Sequence, residues 1–157
     1  MEFATKVESL QEIIQLVANE RPIFFDIKGQ GAGNLDTNGF IVEVRQRAQQ
    51  KFGNDYSEKP ICGTNGSKVD FYFEDEATVV EIALGLGSPN SEYEKDILKA
   101  LLAQENYPVQ RLVLIGKPGA YKQCSQPGRK AIRDWAFRQH NLIVDIYDIQ
   151  NNHRASI

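Results

Sequence analysis

A carboxylate in the middle of an apolar run narrows the choices for this chain more than any other feature. Glu81 sits inside Thr78-Val-Val-Glu-Ile-Ala-Leu, part of a near-continuous apolar stretch that reaches Leu86. A run of that character reads as a buried central strand, where a carboxylate is costly unless it is hydrogen-bonded, paired or bound to a metal. Just before it, Val69, Phe71 and Phe73 alternate with Asp70 and Tyr72, and Glu74 to Ala77 make a tight connection, so the segment reads as an antiparallel hairpin. Asp70 precedes Glu81 by 11 positions. A turn around Asp75 and Glu76 therefore sets the two side chains opposite each other on one face, about 5 Å apart. Two carboxylates at that separation can share a divalent cation such as Mg²⁺. The alternative is that Glu81 meets a buried Arg or Tyr and Asp70 merely ends its strand.

The remaining periodicities build an α/β chain around this hairpin. Val7, Leu10, Ile13, Ile14 and Val17 predict a helix over about 5 to 18, ending before Pro22. Ile23 to Ile27 is a short apolar run expected as a strand, and Gly29 to Asn38 is expected as a loop. A second helix, about 38 to 52, carries Phe40, Ile41, Val44 and Ala48 on its apolar side and stops at Gly53. Residues 53 to 67 read as loop. After the hairpin, Ser91 and Glu94 make a capping box for a helix with Ile97, Leu98, Leu101 and Leu102 on its inner face. Arg111 to Ile115 is a buried strand, 117 to 128 a loop, and Pro127 opens a helix running through Ala131, Ile132, Trp135 and Ala136 to about His140. Leu142 to Ile149 closes the sheet. The expectation is one domain over 1 to 150, a mixed central sheet flanked by helices, and a tail from 151 to 157.

Composition excludes several classes. No run approaches the roughly 18 apolar residues of a membrane span, and the first residues have no signal-peptide core, so a cytoplasmic protein with no membrane role is expected. Cys62 and Cys124 match no metal spacing, and His140 and His153 have no cysteine nucleophile or zinc spacing beside them. The net charge of −3 argues against bulk electrostatic coating of nucleic acid, but the charge is segregated. Residues from Tyr107 onward carry +5 and the first 106 carry −8, as a one-faced polyanion binder with an acidic metal site would. Lys117, Lys122, Arg129, Lys130 and Arg133 are the candidate phosphate contacts, or else an ordinary solvated face.

An acid on the first hairpin strand, an acid on the second, then a helix and two further βα elements resembles the PD-(D/E)xK superfamily. The resemblance covers roughly residues 38 to 149. Val69-Asp70 corresponds to its first element and Glu81-Ile82-Ala83 to its second, with Val69 where the pattern has proline and Ala83 where it has lysine. It implies a restriction-endonuclease-like three-layer fold and Mg²⁺- or Mn²⁺-dependent hydrolysis of phosphodiesters in DNA, with Asp70 and Glu81 as metal ligands. It also implies Lys95, in the first turn of the following helix with Lys99 one turn on, as a displaced basic group, and Glu43 as an extra acid from the preceding helix. A homodimer is compatible with it. Ala83 motivates the alternative, an inactive member of the fold that binds nucleic acid or protein.

Two decoys are set aside. Gly85-Leu-Gly-Ser-Pro-Asn lacks the third glycine of a dinucleotide loop, and Pro89 removes an amide such a loop uses. Asp26-Ile-Lys28 is a literal DxK, but no acid-bearing hairpin strand precedes it.

Overall fold

The computed structural model describes residues 4–21, 24–25, 34–64, 66–87 and 91–152. The chain divides into two compact units, Met1–Asp55 with Ile149–Ile157, and Tyr56–Asp148. Among the described residues no helix is long and apolar enough to cross a membrane.

The first unit is helical. Helix α1 (Lys6–Asn19) opens with a capping box in which the Thr5 hydroxyl accepts from the Glu8 amide and the Glu8 carboxylate accepts from the Thr5 amide. Its buried stripe, Val7, Leu10, Ile13, Ile14 and Val17, follows the three-and-four spacing of the sequence. Helix α2 (Asn34–Phe52) begins four residues earlier than expected, because Asn34 to Thr37 suit a first helical turn as well as they suit a loop. It buries Phe40, Val44 and Ala48 and stops at Gly53, whose φ of +73° ends the helix without the strain a side chain would add. Of the run expected as a strand, Phe24 and Phe25 are instead in a 3-10 turn, and Ile23, Asp26 and Ile27 lie outside the described residues. The Phe24 ring stacks on Phe40 at 4.3 Å, and a short apolar run cannot by itself distinguish such a turn from a strand. The expected loop's residues 29–33 and the tail's residues 153–157 also lie outside the description.

The second unit is an open, mixed five-stranded sheet in the order β1-β2-β3-β4-β5. Strands β1 (Ser57–Cys62), β2 (Ser67–Phe73) and β3 (Thr78–Ile82) form an antiparallel meander, and β4 (Arg111–Gly116) and β5 (Ile143–Asp148) continue it in parallel. A 3-10 turn, Glu74–Glu76, closes the β2–β3 hairpin, with Ala77 in the left-handed region at φ 48°. Strand β1 replaces the loop expected at 53 to 67. Its Pro60 argues against a central strand but is admissible here, because β1 is the sheet edge and its pairing with β2 is irregular between Lys59 and Cys62.

Helices α3 (Glu92–Ala103), α4 (Ala120–Cys124) and α5 (Pro127–His140) supply the connections. The core joins Tyr72, Val79, Ala83, Leu112, Leu114, Val144 and Ile146 from the sheet to Tyr93, Ile97, Ala100 and Ala103 of α3, Cys124 of α4 and Ala136 of α5. The inner face of α3 is not the expected one. Leu98 and Leu102 are exposed, and Tyr93, Asp96, Ile97, Ala100 and Ala103 are buried. The small Ala100 and Ala103 allow close helix–sheet approach, and the larger leucines rotate away from the sheet. Trp135 is likewise exposed on α5, and Ala136 is buried. The Ser91 capping box is absent too. Ser91 has φ −96° and ψ 11° instead of the extended backbone a cap requires, and its side chain makes no cap hydrogen bond.

At the end of β4 the backbone passes very close to its neighbours. A Cβ on Gly116 would stand 2.6 Å from the Ala120 Cβ and 3.1 Å from the Ala83 carbonyl oxygen. Gly116→Ala is therefore expected to cost about 1–3 kcal/mol by overpacking, read as a lower denaturant midpoint at unchanged slope. An unchanged midpoint would mean that α4 yields freely.

Candidate active site

The site lies wholly within the second unit, where β2 and β3 stop pairing as a regular ladder. The register Phe73↔Thr78, Tyr72↔Val79, Phe71↔Val80 places Asp70 opposite Glu81 as the next pair. Instead of backbone bonds, the side chains cross the gap. The Ile82 amide donates to Asp70 Oδ2 at 2.7 Å, and the Asp70 amide donates to Glu81 Oε1 at 3.2 Å. Each carboxylate thus accepts from a backbone amide that the ladder leaves open.

Glu81 points towards α3, as the same-face residues Val79 and Ala83 do. There Lys99 Nζ donates to Glu81 Oε1 at 3.1 Å, with 17% of the lysine and 7% of the glutamate side chain exposed. Asp96, one turn before Lys99, is 5% exposed. Glu92, at the start of the helix, accepts from the Gly85 amide at 3.0 Å. Lys99 thus feels three acids, Glu81, Asp96 and Asp70, in a poorly solvated place, with Glu92 acting on Asp96, and their protonation shifts accordingly. Burial, then the neighbouring Asp70 and Asp96, push Glu81 up to about 9 against the pull of Lys99. Burial also pushes Asp96 up to about 7, with Glu92 and Asp70 adding to it and Lys99 opposing. Burial raises Glu92 despite its amide hydrogen bond. Burial pulls Lys99 down, but Glu81, Asp96 and Asp70 outweigh it and leave Lys99 above the usual lysine value. The lysine is the fixed positive charge of the site, and the acids compete for protons.

The residues singled out from sequence are placed unequally. Asp70 and Glu81 come together. Lys95 is exposed on α3, close enough to Glu92 and Asp96 to influence them but not paired with Glu81. Glu43 belongs to the other unit, on α2, where it pairs with Arg47 at 2.8 Å. Ala83, at the motif's lysine position, is fully buried in the core. Among the candidate phosphate contacts, Arg129 turns inward. It donates to the Leu86 carbonyl at 2.7 Å, reaches Cys124 Sγ at 3.7 Å and lies 5.3 Å from the Tyr93 ring centroid. It anchors the loop after β3 to α5. Lys130 pairs with Asp134 at 3.3 Å on the surface, Lys122 is exposed, and Arg133 is half-buried. Lys117, half-buried at the end of β4, is held below the usual lysine value by burial.

The sequence does not single out Asp96, and it places Lys99 only as one turn beyond Lys95. The available signal was spacing, because Glu92, Asp96 and Lys99 interleave with Tyr93, Ile97 and Ala100 on one helical stripe.

Asp70 and Glu81 offer hard oxygen donors suited to Mg²⁺, which uses one or two carboxylates and keeps several waters. Among the described residues, however, no three His, Cys, Asp or Glu side chains are grouped to hold a metal ion. A cation here would rest on those two carboxylates with water and substrate oxygens completing its shell. Compared with protein-family models, curated proteins and solved structures, the chain matches none.

Proposed function

We propose that the chain is a divalent-metal-dependent phosphodiesterase acting on DNA, with a restriction-endonuclease-like three-layer fold and a rearranged PD-(D/E)xK site. The observation that carries this reading is the Lys99 ammonium 3.1 Å from Glu81 Oε1, beside the crossed Asp70–Glu81 pair. It supplies from α3 the cation that Ala83, just past the end of β3, cannot supply. The antiparallel meander followed by parallel β4 and β5 also agrees with the layout that the resemblance implies.

In this reading Asp70 and Glu81 would hold Mg²⁺ or Mn²⁺, which would supply water activation and Lewis-acid polarisation of the phosphate. The chain's own residues do the rest. Lys99 keeps Glu81 oriented and offsets negative charge accumulating on the phosphate. The Ile82 amide holds the Asp70 carboxylate in place. The charged residues beyond Tyr107 attract the polyanion, with Lys122 and Lys130 as exposed contacts and Arg129 acting only through the loop it holds.

A second reading is favoured by the closure of the network around Glu81, which is 5% exposed with Oε1 accepting from both Asp70 and Lys99. It makes the chain a non-catalytic DNA- or protein-binding module. Purified protein incubated with supercoiled and linear DNA and Mg²⁺ or Mn²⁺ separates the two. Metal-dependent nicking that Asp70→Asn removes is the expected result, and DNA binding with no cleavage under either metal would instead support the binding module.

A further inference from the structure

The sheet has two edges, and they are built differently. Strand β1 carries Lys59 and Pro60, its ladder to β2 is irregular between Lys59 and Cys62, and Glu58 has φ 56°. Proline, charge and bulges are the devices that keep an edge strand from pairing further. Strand β5 has none of them. Its residues pair with β4 in unbroken register from Ile143 to Asp148, and they include neither proline nor lysine. The Ile143 amide donates to the Gln110 carbonyl on the β4 side, so the backbone groups of Val144 and Ile146 point the other way. Among the described residues these groups meet no hydrogen-bond partner. The Val144 and Ile146 side chains are in the core, and Ile143 and Tyr147, on the opposite face of the strand, are 45% and 38% exposed. Asp145, between those two, is ion-paired to Arg111, so the central charge of the strand is already offset.

We propose that β5 pairs antiparallel with β5 of a second copy of this chain, about a two-fold axis at Asp145. That register sets Val144 opposite Ile146 of the partner subunit, and the open N–H and C=O groups of both residues are satisfied in each copy. It also lays Ile143 against Tyr147 of the partner subunit, so each copy covers the two exposed apolar side chains of the other. The two Asp145 side chains meet at the axis, where the Arg111 guanidinium of each copy offsets their repulsion. An axis one residue further on, at Ile146, would set the acid of one copy against the tyrosine of the other. A second copy is the occupant because the outer row of β5, apolar, acidic, apolar, complements itself when reversed. With the β1 edge closed, pairing ends at two copies. The inference stands apart from the metal-dependent reading, and neither depends on the other.

Sedimentation equilibrium of the full chain, without metal or DNA, tests the pairing on wild type, Ile143→Lys, Tyr147→Glu and the double variant. Wild type is expected to show a reversible monomer–dimer equilibrium. Each single substitution alters two symmetry-related cross-strand pairs and is expected to weaken association about tenfold. The double variant sets lysine against glutamate at both pairs and is expected to recover most of the loss, which a variant that merely misfolds would not do. A wild-type monomer at every concentration would overturn the proposal. A dimer indifferent to either single substitution, or a double variant no better than the single ones, would overturn it equally.

Discussion

Lys99→Ala is expected to lower metal-dependent DNA cleavage by about 100–1,000-fold, the usual effect of losing one preorganised charge-stabilising group, and Lys95→Ala is expected to leave it nearly unchanged. The difference follows from the direction each side chain takes from α3. Lys99 is largely buried and bonded to Glu81, and Lys95 is exposed. Lys99→Arg retains the charge but not the shape of the ammonium, so an intermediate loss is expected. DNA affinity, measured in Ca²⁺ to suppress turnover, should change far less than the cleavage rate in Lys99→Ala, because one buried lysine is a small part of a polyanion contact. Equal losses in Lys95→Ala and Lys99→Ala would reject the assignment of the basic group to Lys99.

The second large effect concerns stability. Glu81→Gln is expected to stabilise the metal-free protein by about 1–2 kcal/mol near pH 8 and to confer little near pH 4.5. The sign follows from linkage. Glu81 goes from an ordinary carboxylate value when unfolded to about 9 when folded. The folded state therefore holds the proton more tightly, and stability is greatest below the unfolded value and falls as pH rises towards 9. Asp96, raised to about 7, acts in the same direction over a lower window. Lys99, held above its usual value, stays charged throughout both. Glutamine at 81 can still accept from the Asp70 amide and from Lys99 but has no charge to bury. Thermal unfolding from pH 4.5 to 8.5 gives the difference directly. A variant less stable than wild type at pH 8 would identify the Lys99–Glu81 pair as structural and argue against a site held at a cost to stability.

The parts of the fold and site that were legible in sequence are those fixed by neighbours along the chain. The hairpin was legible because alternation in β2 and the Glu74–Ala77 turn set its register locally, and the juxtaposition of Asp70 and Glu81 follows from that register. Helix α1 was legible from its apolar stripe. What escaped depended on partners distant in sequence. Helix α4 lies in a segment rich in glycine, glutamine and proline, and the Gly119 and Tyr121 amides at its start are satisfied by the Asp148 carboxylate from the end of β5. Strand β1 was hidden by Pro60, which is acceptable only because the strand falls at the edge. The choice between Lys95 and Lys99 required the rotation of α3 about its axis. That rotation is set by Ala100 and Ala103 against the sheet, whereas the sequence weighted the larger Leu98 and Leu102. The inward turn of Arg129 was equally hidden, since the Leu86 carbonyl it meets lies 43 positions earlier.

The crossed bonds between Asp70 and Glu81 tie the proposed site and the shape of the hairpin together at this point. Each acid occupies an amide that would otherwise be free to meet a carbonyl of the adjacent strand. A descendant that lost both acids would have an inexpensive repair available, namely to zip the hairpin by one more pair and seal the gap. Replacing both acids would then remodel this surface instead of leaving its shape unchanged.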